Sequence, residues 1–260
     1  MLLQFLSVIG VYGVYERWLK NQIDSMERPN HVGVIMDGNR RWALSQNMMP
    51  WEGHWEGADK VEEFLKWCVE LGVETVTLYS FSTENFNRDE EEVQALMRLF
   101  ESTLDKVIES NHIHDNRVKV RAIGRINTLP LRLQELIHQV EEATKDYDRY
   151  YLNIAIAYGG RAEIVDALRK IASKVKSGEI EPEKINEDDI EANLYTAHLP
   201  QPDPDLIIRT SGESRLSNFL VWQGAYSELF ILDVYWPAFR KIDLMRAIRS
   251  YQLRGRRFGK

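Results

Sequence analysis

An aspartate followed by a glycine, an asparagine and two arginines stands directly after an apolar run of the chain. The run, residues 32–36, is typical of a buried strand, and a helical pattern begins at Arg41. Asp37 is therefore predicted in a strand-to-helix turn, at the edge of the sheet where α/β proteins bind ligands. The free N–H groups of a helix N-terminus, together with Arg40 and Arg41, suit phosphate oxygens.

A carboxylate in the same turn repels a phosphate unless a cation lies between them. A hard divalent metal needs oxygen ligands and bridges a carboxylate to a diphosphate, so Asp37 is a candidate metal ligand. The alternative is that Asp37 is only a helix cap and the two arginines are solvated. Arginine is unfavourable at the positive end of a helix dipole, which favours a bound anion. The sequence contains neither a Walker loop nor a Gly-x-Gly-x-x-Gly fingerprint.

A second group of phosphate-binding residues follows the predicted strand 206–209. Arg209, Arg215 and Ser217 place two guanidinium groups and a hydroxyl within nine residues, which is suited to holding a diphosphate. A solvated polar loop is the weaker interpretation because the segments on both sides, including 219–222, are apolar.

Four weaker polar motifs also lie at predicted strand ends or helix starts. Residues 82–88 follow a strand and offer hydroxyl, amide and guanidinium groups, although turns favour the same residue types. His54 opens a helix between two glycines, where it could equally be a cap, and residues 158–161 form another turn. Glu228 precedes a hydrophobic run and is a candidate second metal carboxylate.

Apolar runs alternate with amphipathic helical patterns, which is typical of βαβ units and a mostly parallel sheet. The predicted strands are residues 32–36, 75–81, 118–123, 152–157, 206–209 and 229–233. Helices are predicted over 90–108, 128–146 and 161–176. We therefore expect an α/β protein with a single catalytic domain, residues 31–260, built on a central mostly parallel six-stranded sheet. A helical apolar extension, residues 1–30, precedes it.

Composition narrows the class of partner. The 260 residues are 44% hydrophobic and carry a net charge of −7, so general nucleic-acid binding is excluded. The single cysteine, Cys68, lies in an apolar helical pattern and is predicted to be a core residue in a reducing, cytoplasmic compartment.

The two chain ends raise the question of membrane contact. Residues 1–15 are uncharged and mostly apolar but too short to span a bilayer, so they either lie in a membrane interface or pack on the protein. Residues 240–260 contain eight basic residues and one acid, which indicates a solvated basic end rather than a lipid contact. Peripheral contact with the cytosolic membrane face is an open expectation.

Five ordered motifs resemble those of the cis-prenyltransferases, the undecaprenyl and dehydrodolichyl diphosphate synthase family. They are His31-Val-Gly-Val-Ile-Met-Asp-Gly-Asn-Arg-Arg-Trp42, Phe81-Ser-Thr-Glu-Asn-Phe-Asn-Arg88, Tyr158-Gly-Gly-Arg161, Ile208-Arg-Thr-Ser-Gly-Glu213 and Arg215-Leu-Ser-Asn-Phe-Leu-Val-Trp-Gln223. The resemblance covers residues 31–259 in order.

This resemblance implies a homodimeric enzyme with an apolar tunnel beside its parallel sheet. Such an enzyme condenses isopentenyl diphosphate repeatedly onto an allylic diphosphate, with magnesium (Mg2+). The product is a long-chain Z-polyprenyl diphosphate, a precursor of glycosyl carrier lipids. Leu96, Met97 and Phe100 are candidate tunnel walls, although a plain core face explains them equally well.

The resemblance also implies roles for individual residues. Asp37 would be the essential carboxylate for magnesium and diphosphate. Glu228, from the same or the neighbouring subunit, would complete the metal site. The allylic diphosphate site would contain Gly38, Asn39, Arg40, Arg41, Trp42 and His54. Residues near the reacting carbons would be Ser82, Thr83, Glu84, Asn85, Phe86 and Arg88. The isopentenyl diphosphate would be held by Arg209, Arg215 and Ser217, and the closing Arg257-Phe-Gly259 would reach the partner's active site.

The resemblance does not identify the general base that accepts the proton. Asn85 would orient the loss of the proton from isopentenyl diphosphate, and either Asp37 or a phosphate oxygen would accept it. The sequence does not choose between farnesyl and geranylgeranyl diphosphate as starter.

Several positions depart from the pattern of many relatives. Pro50 stands where many carry arginine, and Leu44 and Ser45 stand near their lysines, so the allylic site has less positive charge. Phe86 replaces a tryptophan usual in bacterial members, while Arg40 and the apolar extension resemble archaeal or eukaryotic members, of which we favour the archaeal type.

The alternative function is a non-catalytic partner subunit of the same fold. Such subunits tend to lose the first aspartate and the arginine motif. Because this chain keeps Asp37 and Arg209, the catalytic interpretation is favoured.

Overall fold

The computed structural model describes residues 11–254, which are organised around one parallel sheet. Its strands are β1 (His31–Ile35), β2 (Thr75–Ser82), β3 (Val118–Ile123), β4 (Tyr150–Tyr158), β5 (Leu206–Arg209) and β6 (Glu228–Ile231). Their order is β3-β4-β2-β1-β5-β6, and every neighbouring pair is parallel. All six predicted strands are confirmed, with ends within two residues of the prediction.

Nine α-helices occur within the described residues. They are α1 (Val11–Asp24), α2 (Asn39–Ser45), α3 (Glu52–Leu71), α4 (Glu90–Ile108), α5 (Asn111–Asp115), α6 (Leu131–Thr144), α7 (Gly160–Lys176), α8 (Glu187–Glu191) and α9 (Lys241–Leu253). The helix predicted over 128–146 is shorter because Pro130 stands at the N-cap and residues 126–128 form a separate 3₁₀ turn.

The central strands are buried on both faces, which explains why they read as continuous apolar runs. Every residue of β1 and of β5 is buried, whereas burial alternates along the edge strand β6. Cys68 on α3 is 2% exposed, which confirms it as a core residue, and burial raises the pKa of its thiol. The sheet is thus a rigid support for the loops at its carboxyl edge.

The strand order creates a crevice at that edge. From β1 the chain moves to β2 and β4 on one side of the sheet, and later returns to β5 on the other side. The loops that follow β1 and β5 therefore lead apart, which is the arrangement in which open α/β sheets bind ligands. Asp37 follows β1, and Arg209 is the last residue of β5.

The described part of the N-terminal extension packs on the protein body. Leu19 and Ile23 of α1 are buried, and Gln22 accepts a hydrogen bond from Arg249 of α9 at 2.9 Å. Val14 and Trp18 remain exposed. Most of the apolar segment 1–15 lies outside the described residues. Among residues 11–254, the structure contains no helix that meets the length and hydropathy needed to cross a bilayer.

Candidate functional site

Asp37 and Arg209 meet at the carboxyl edge of the two central strands. Arg209 Nη2 donates to Asp37 Oδ2 at 2.7 Å, and the Arg209 side chain is only 7% exposed. The contact follows from the register of β1 with β5, in which Ile35 lies opposite Arg209. A buried guanidinium therefore fixes one oxygen of the candidate metal carboxylate.

Arg41 binds the other oxygen of the same carboxylate. Its Nη2 lies 3.3 Å from Asp37 Oδ1 and donates to Ser211 Oγ at 2.7 Å. Its Nη1 lies 3.5 Å from Glu213 Oε1, and its guanidinium stands 5.6 Å from the centre of the Tyr235 ring. Arg41 thus links the turn after β1 to the loop after β5.

These contacts set the charge of Asp37. Burial alone would raise its pKa, but the hydrogen bond and charge of Arg209, with smaller contributions from Ser211 and Arg41, lower the pKa below its ordinary value. Asp37 is therefore an anion at neutral pH.

The turn that carries Asp37 depends on three glycines. Gly38 has φ of +98° and precedes α2, and a Cβ there would lie 2.6 Å from the Tyr235 side chain. A Cβ on Gly53 would lie 2.1 Å from the Asn39 carbonyl oxygen, and one on Gly57 would lie 2.5 Å from Asn39 Oδ1. The glycines on either side of His54 thus bring α3 against the first residue of α2.

Arg209 also organises the loop that follows it. Its Nη1 donates to Ser217 Oγ at 2.8 Å and to the carbonyl oxygen of Arg215. Several residues of this loop have left-handed backbones, namely Ser211, Gly212, Ser217, Asn218 and Leu220. Such strain collects at ligand-binding sites. Within residues 11–254 the buried Nε of Arg209 has no hydrogen-bond partner.

A buried carboxylate, Glu92 on α4, contacts two arginines and a histidine of the site. Arg88 Nη1 donates to Glu92 Oε1 at 2.9 Å, His54 Nε2 lies 3.4 Å from the same oxygen, and Arg40 Nη1 lies 3.5 Å from Oε2. Burial and the charge of Arg88 lower the pKa of His54, which outweighs the opposite effect of Glu92. His54 is therefore neutral at pH 7.

The loop after β2 is held by its own contacts and by Asn218. Asn85 Oδ1 accepts from the Ser82 backbone N–H at 3.0 Å. Asn218 Nδ2 donates to Glu84 Oε1 at 3.0 Å, and Asn218 Oδ1 accepts from the Arg161 N–H at 2.9 Å. Asn218 thus joins the loops that follow β2, β4 and β5.

Two adjoining polar cavities lie around Asp37. One, of about 240 Å³, lies over the ends of β1, β2 and β5 and includes Ser82, Asn85 and Arg209 in its lining. The other, of about 320 Å³, is lined by the start of α2, including Arg40 and Arg41. Both are lined by Asp37, Asn39, His54 and Arg88. The arrangement offers two neighbouring anion sites that share one carboxylate.

An apolar cavity of about 110 Å³ lies beneath the polar ones, between α3, α4 and the sheet. Asn39 and His54 line its top, and Ala58, Val61 and Leu104 are among its walls. Of the predicted walls, Leu96 and Phe100 line it, whereas Met97 is buried but is not part of its lining. The cavity would suit a short hydrocarbon segment, and a full tunnel stays a prediction.

Asp37 contributes a single carboxylate to any metal. Residues 11–254 contain no group of three or more His, Cys, Asp or Glu side chains placed to hold a metal ion. One carboxylate is still compatible with magnesium, which often binds through one or two carboxylates, substrate phosphates and water. The residues therefore fit a metal that arrives with a diphosphate.

Within one chain, Glu228 and Asp37 lie at opposite edges of the sheet and cannot bind the same metal ion. Glu228 begins β6 and lies opposite Leu206, at the amino edge of the sheet, where Glu228 Oε2 accepts from Arg254 Nη1 at 2.6 Å. Glu228 comes directly before the predicted strand 229–233, so the strand pattern already indicated the amino edge, whereas the resemblance assigned Glu228 to the metal site. A second metal carboxylate from Glu228 would need another subunit.

The other predicted residues lie at the margin of the site. Arg215 pairs with Glu213 at 2.6 Å and is 64% exposed. Trp42 is half-buried on α2, and Phe86 packs edge-on against Phe81. The linings of the two polar cavities do not include Trp42, Thr83, Glu84 or Phe86. Arg257 and Gly259 lie outside the described residues, so their predicted role is untested.

Three contributors escaped the sequence analysis. Glu92 lies four residues after Arg88 on a helix, a spacing that signals a salt bridge and could have identified it. Asn218 and Ser211 gave no such signal, because their roles depend on left-handed backbones in an irregular loop.

Comparison with curated proteins gives archaeal relatives over nearly the whole chain. A family model described as putative undecaprenyl diphosphate synthase matches residues 35–259. A protein of Methanocaldococcus jannaschii is 55% identical over 257 residues, covering 99% of this chain and 92% of the relative. One of Methanopyrus kandleri is 53% identical, covering 98% and 93%. Both are called tritrans,polycis-undecaprenyl-diphosphate synthase (geranylgeranyl-diphosphate specific).

Two crystal structures share the fold. Lavandulyl diphosphate synthase from Lavandula x intermedia, in complex with dimethylallyl diphosphate, has a TM-score of 0.85 and 38% identity, covering 90% of this chain and 99% of that one. A probable undecaprenyl diphosphate synthase from Campylobacter jejuni has a TM-score of 0.73 and 33% identity, covering 90% and 100%. The chain therefore belongs to the undecaprenyl diphosphate synthase family of cis-prenyltransferases and is of the archaeal type.

Proposed function

We propose that this enzyme condenses isopentenyl diphosphate repeatedly onto an allylic diphosphate and forms a long-chain Z-polyprenyl diphosphate. The observation that carries the proposal is the position of Asp37, which arginines bind on both oxygens at the junction of two polar cavities. An apolar cavity begins directly beneath. A diphosphate head with a hydrocarbon tail matches this division.

The cavity at the start of α2 is the proposed allylic site. There the helix N-terminus, Arg40, Arg41 and Arg88 would stabilise the charge that develops on the departing diphosphate. Magnesium bound by Asp37 and the diphosphate would further stabilise the leaving group. The apolar walls below would keep water from the allylic cation.

The cavity over β5 is the proposed isopentenyl diphosphate site. Arg209 and Ser217 line it, and their guanidinium and hydroxyl groups suit a diphosphate. Arg215 would reach the same diphosphate by leaving Glu213, a rotation open to an exposed side chain. Asn85 Oδ1 caps its own turn. Its Nδ2 is therefore the atom that would orient isopentenyl diphosphate, which loses a proton from its C2.

The names of the archaeal relatives favour geranylgeranyl diphosphate as starter and an undecaprenyl product. The sequence alone left farnesyl diphosphate equally open. The non-catalytic alternative is disfavoured because the Asp37–Arg209 pair is assembled.

A homodimer is proposed through the edge of the sheet at β6. Exposed apolar side chains occur on β6, on the segment before it and on α7, and a water-facing edge strand is prone to pair with another surface. They are Val165, Leu168, Val221, Tyr226, Leu229 and Ile231. Glu228 and the end of α9 lie at this edge, so a partner could receive Glu228 and the residues after 254.

Peripheral membrane contact through residues 1–15 also stays a proposal. Their removal should reduce co-sedimentation with lipid vesicles and leave turnover in solution, and unchanged sedimentation would refute it.

The proposed function has a direct assay. Purified protein with magnesium, labelled isopentenyl diphosphate and geranylgeranyl diphosphate should transfer label into an organic-soluble product, and EDTA should suppress transfer by about 100-fold or more. Dimethylallyl, geranyl and farnesyl diphosphate serve as comparison starters. Label that stays in the aqueous phase with every starter would disprove the proposal.

The apolar cavity gives a prediction about product length. Ala58→Phe should shorten the product because the added ring occupies space between α3 and α4 that the growing tail would enter. Chromatography of the dephosphorylated products measures this. Ala143→Phe on the exposed face of α6 is the matched control, and an unchanged product length in Ala58→Phe would place the tail elsewhere.

The β6 surface predicts an effect on assembly. Leu229→Glu should convert a dimer into a 30.4 kDa monomer, because a buried unpaired charge destabilises an apolar interface. Light scattering after size-exclusion chromatography measures the mass. Leu131→Glu, at an exposed leucine on α6, is the control and should stay dimeric. If Leu229→Glu also stays dimeric, the interface does not lie at β6.

A further inference from the structure

Glu92 stands out because it is a buried acid in contact with three predicted substrate-binding residues. Its side chain is 7% exposed and belongs to the first turn of α4. Arg40 comes from α2, His54 from α3 and Arg88 from the loop before α4. One carboxylate therefore joins three separate elements at the allylic side of the site.

The three partners of Glu92 line a polar cavity, whereas Glu92 itself does not. Arg40, His54 and Arg88 line the cavity at the start of α2, whereas Glu92 lines neither polar cavity. Glu92 thus lies behind them, and a ligand in the cavity would meet them from the opposite side. Its contacts leave the remaining guanidinium N–H groups of each arginine for such a ligand.

This placement has a physical consequence for binding. Arginine side chains lose considerable conformational entropy when a ligand fixes them, and a site whose donors are already held avoids that cost. The side chain of Arg40 is 49% exposed and that of Arg88 is 29% exposed, so both would otherwise sample many rotamers. A buried anion behind them restricts both without occupying the ligand's place.

We propose that Glu92 is a positioning residue that pre-orients Arg40, His54 and Arg88 for the diphosphate of the allylic substrate. This inference rests on the proposed function and concerns the same site. Glu92 acts only through its three partners. Of its partners, Arg40 lines only the allylic cavity, whereas His54 and Arg88 line both cavities. Loss of Glu92 therefore weakens binding of the allylic substrate more than binding of isopentenyl diphosphate, whose cavity also contains Arg209 and Ser217, which Glu92 does not contact.

The test compares Glu92→Gln, Glu92→Asp and Glu91→Gln with the wild type. Glu91 lies in the same helical turn and is exposed, so Glu91→Gln removes the same charge near the helix N-terminus without touching a buried contact. Initial rates are measured while geranylgeranyl diphosphate and isopentenyl diphosphate are varied separately. Thermal unfolding of each variant reports folding.

Glu92→Gln should raise KM for geranylgeranyl diphosphate about tenfold and KM for isopentenyl diphosphate less, about threefold at most. Glu92→Asp, which keeps the charge, should recover part of the loss, and Glu91→Gln should match the wild type. Equal changes in both KM values, or a lower KM for the allylic substrate, would overturn the proposal. If Glu92→Gln does not fold, Glu92→Asp must show the same difference between the two KM changes, although a smaller one.

Failure of the proposed function would look different. A wild type that is inactive with every starter rejects the proposed function itself. Equilibrium binding of geranylgeranyl diphosphate, followed by tryptophan fluorescence without turnover, then still compares Glu92→Gln with Glu91→Gln. Equal affinities in that comparison would overturn the positioning role.

Discussion

The pairing of Asp37 with Arg209 is the interaction on which the rest of the site depends. It joins the ends of two adjacent buried strands, so its geometry is set by the parallel register that places Ile35 opposite Arg209. A shift of one residue in β5 would turn Arg209 to the other face of the sheet. The pairing also lowers the pKa of Asp37 and orders the loop 211–217 through the second donor nitrogen of Arg209.

The surrounding architecture separates charge from hydrocarbon. Cations and helix N–H groups collect above the sheet edge, while α3, α4 and the sheet enclose an apolar space below. Asn39 and His54 line both regions and mark the boundary between them. Gly53 and Gly57 make this boundary possible because α3 must approach the backbone of α2 closely. The bond that breaks in the proposed reaction would lie at this boundary, between head and tail.

Much of this arrangement could be predicted from sequence, and the exceptions have physical causes. Apolar runs identified all six strands, and Asp37 and Arg209 could be placed at strand ends, because burial on both faces leaves a clear local pattern. Glu228 precedes the predicted strand 229–233, so a parallel sheet already places it at the amino edge, away from Asp37, although the resemblance assigned it to the metal site. The spacing of Arg88 and Glu92 indicates one contact of Glu92. Its contacts with Arg40 and His54, and those of Asn218, join distant segments, for which periodicity carries no information.

The central claim is that Asp37 joins a divalent metal to the diphosphate, and calorimetric binding tests it most directly. Geranylgeranyl diphosphate is titrated into the wild type and Asp37→Asn, each with magnesium and with EDTA. In the wild type magnesium should tighten binding about tenfold or more, whereas in Asp37→Asn this gain should fall below about twofold. Binding in EDTA should persist in Asp37→Asn, because Arg209 and Arg41 lose a competing anion. A variant that retains the full magnesium-dependent gain would contradict the account.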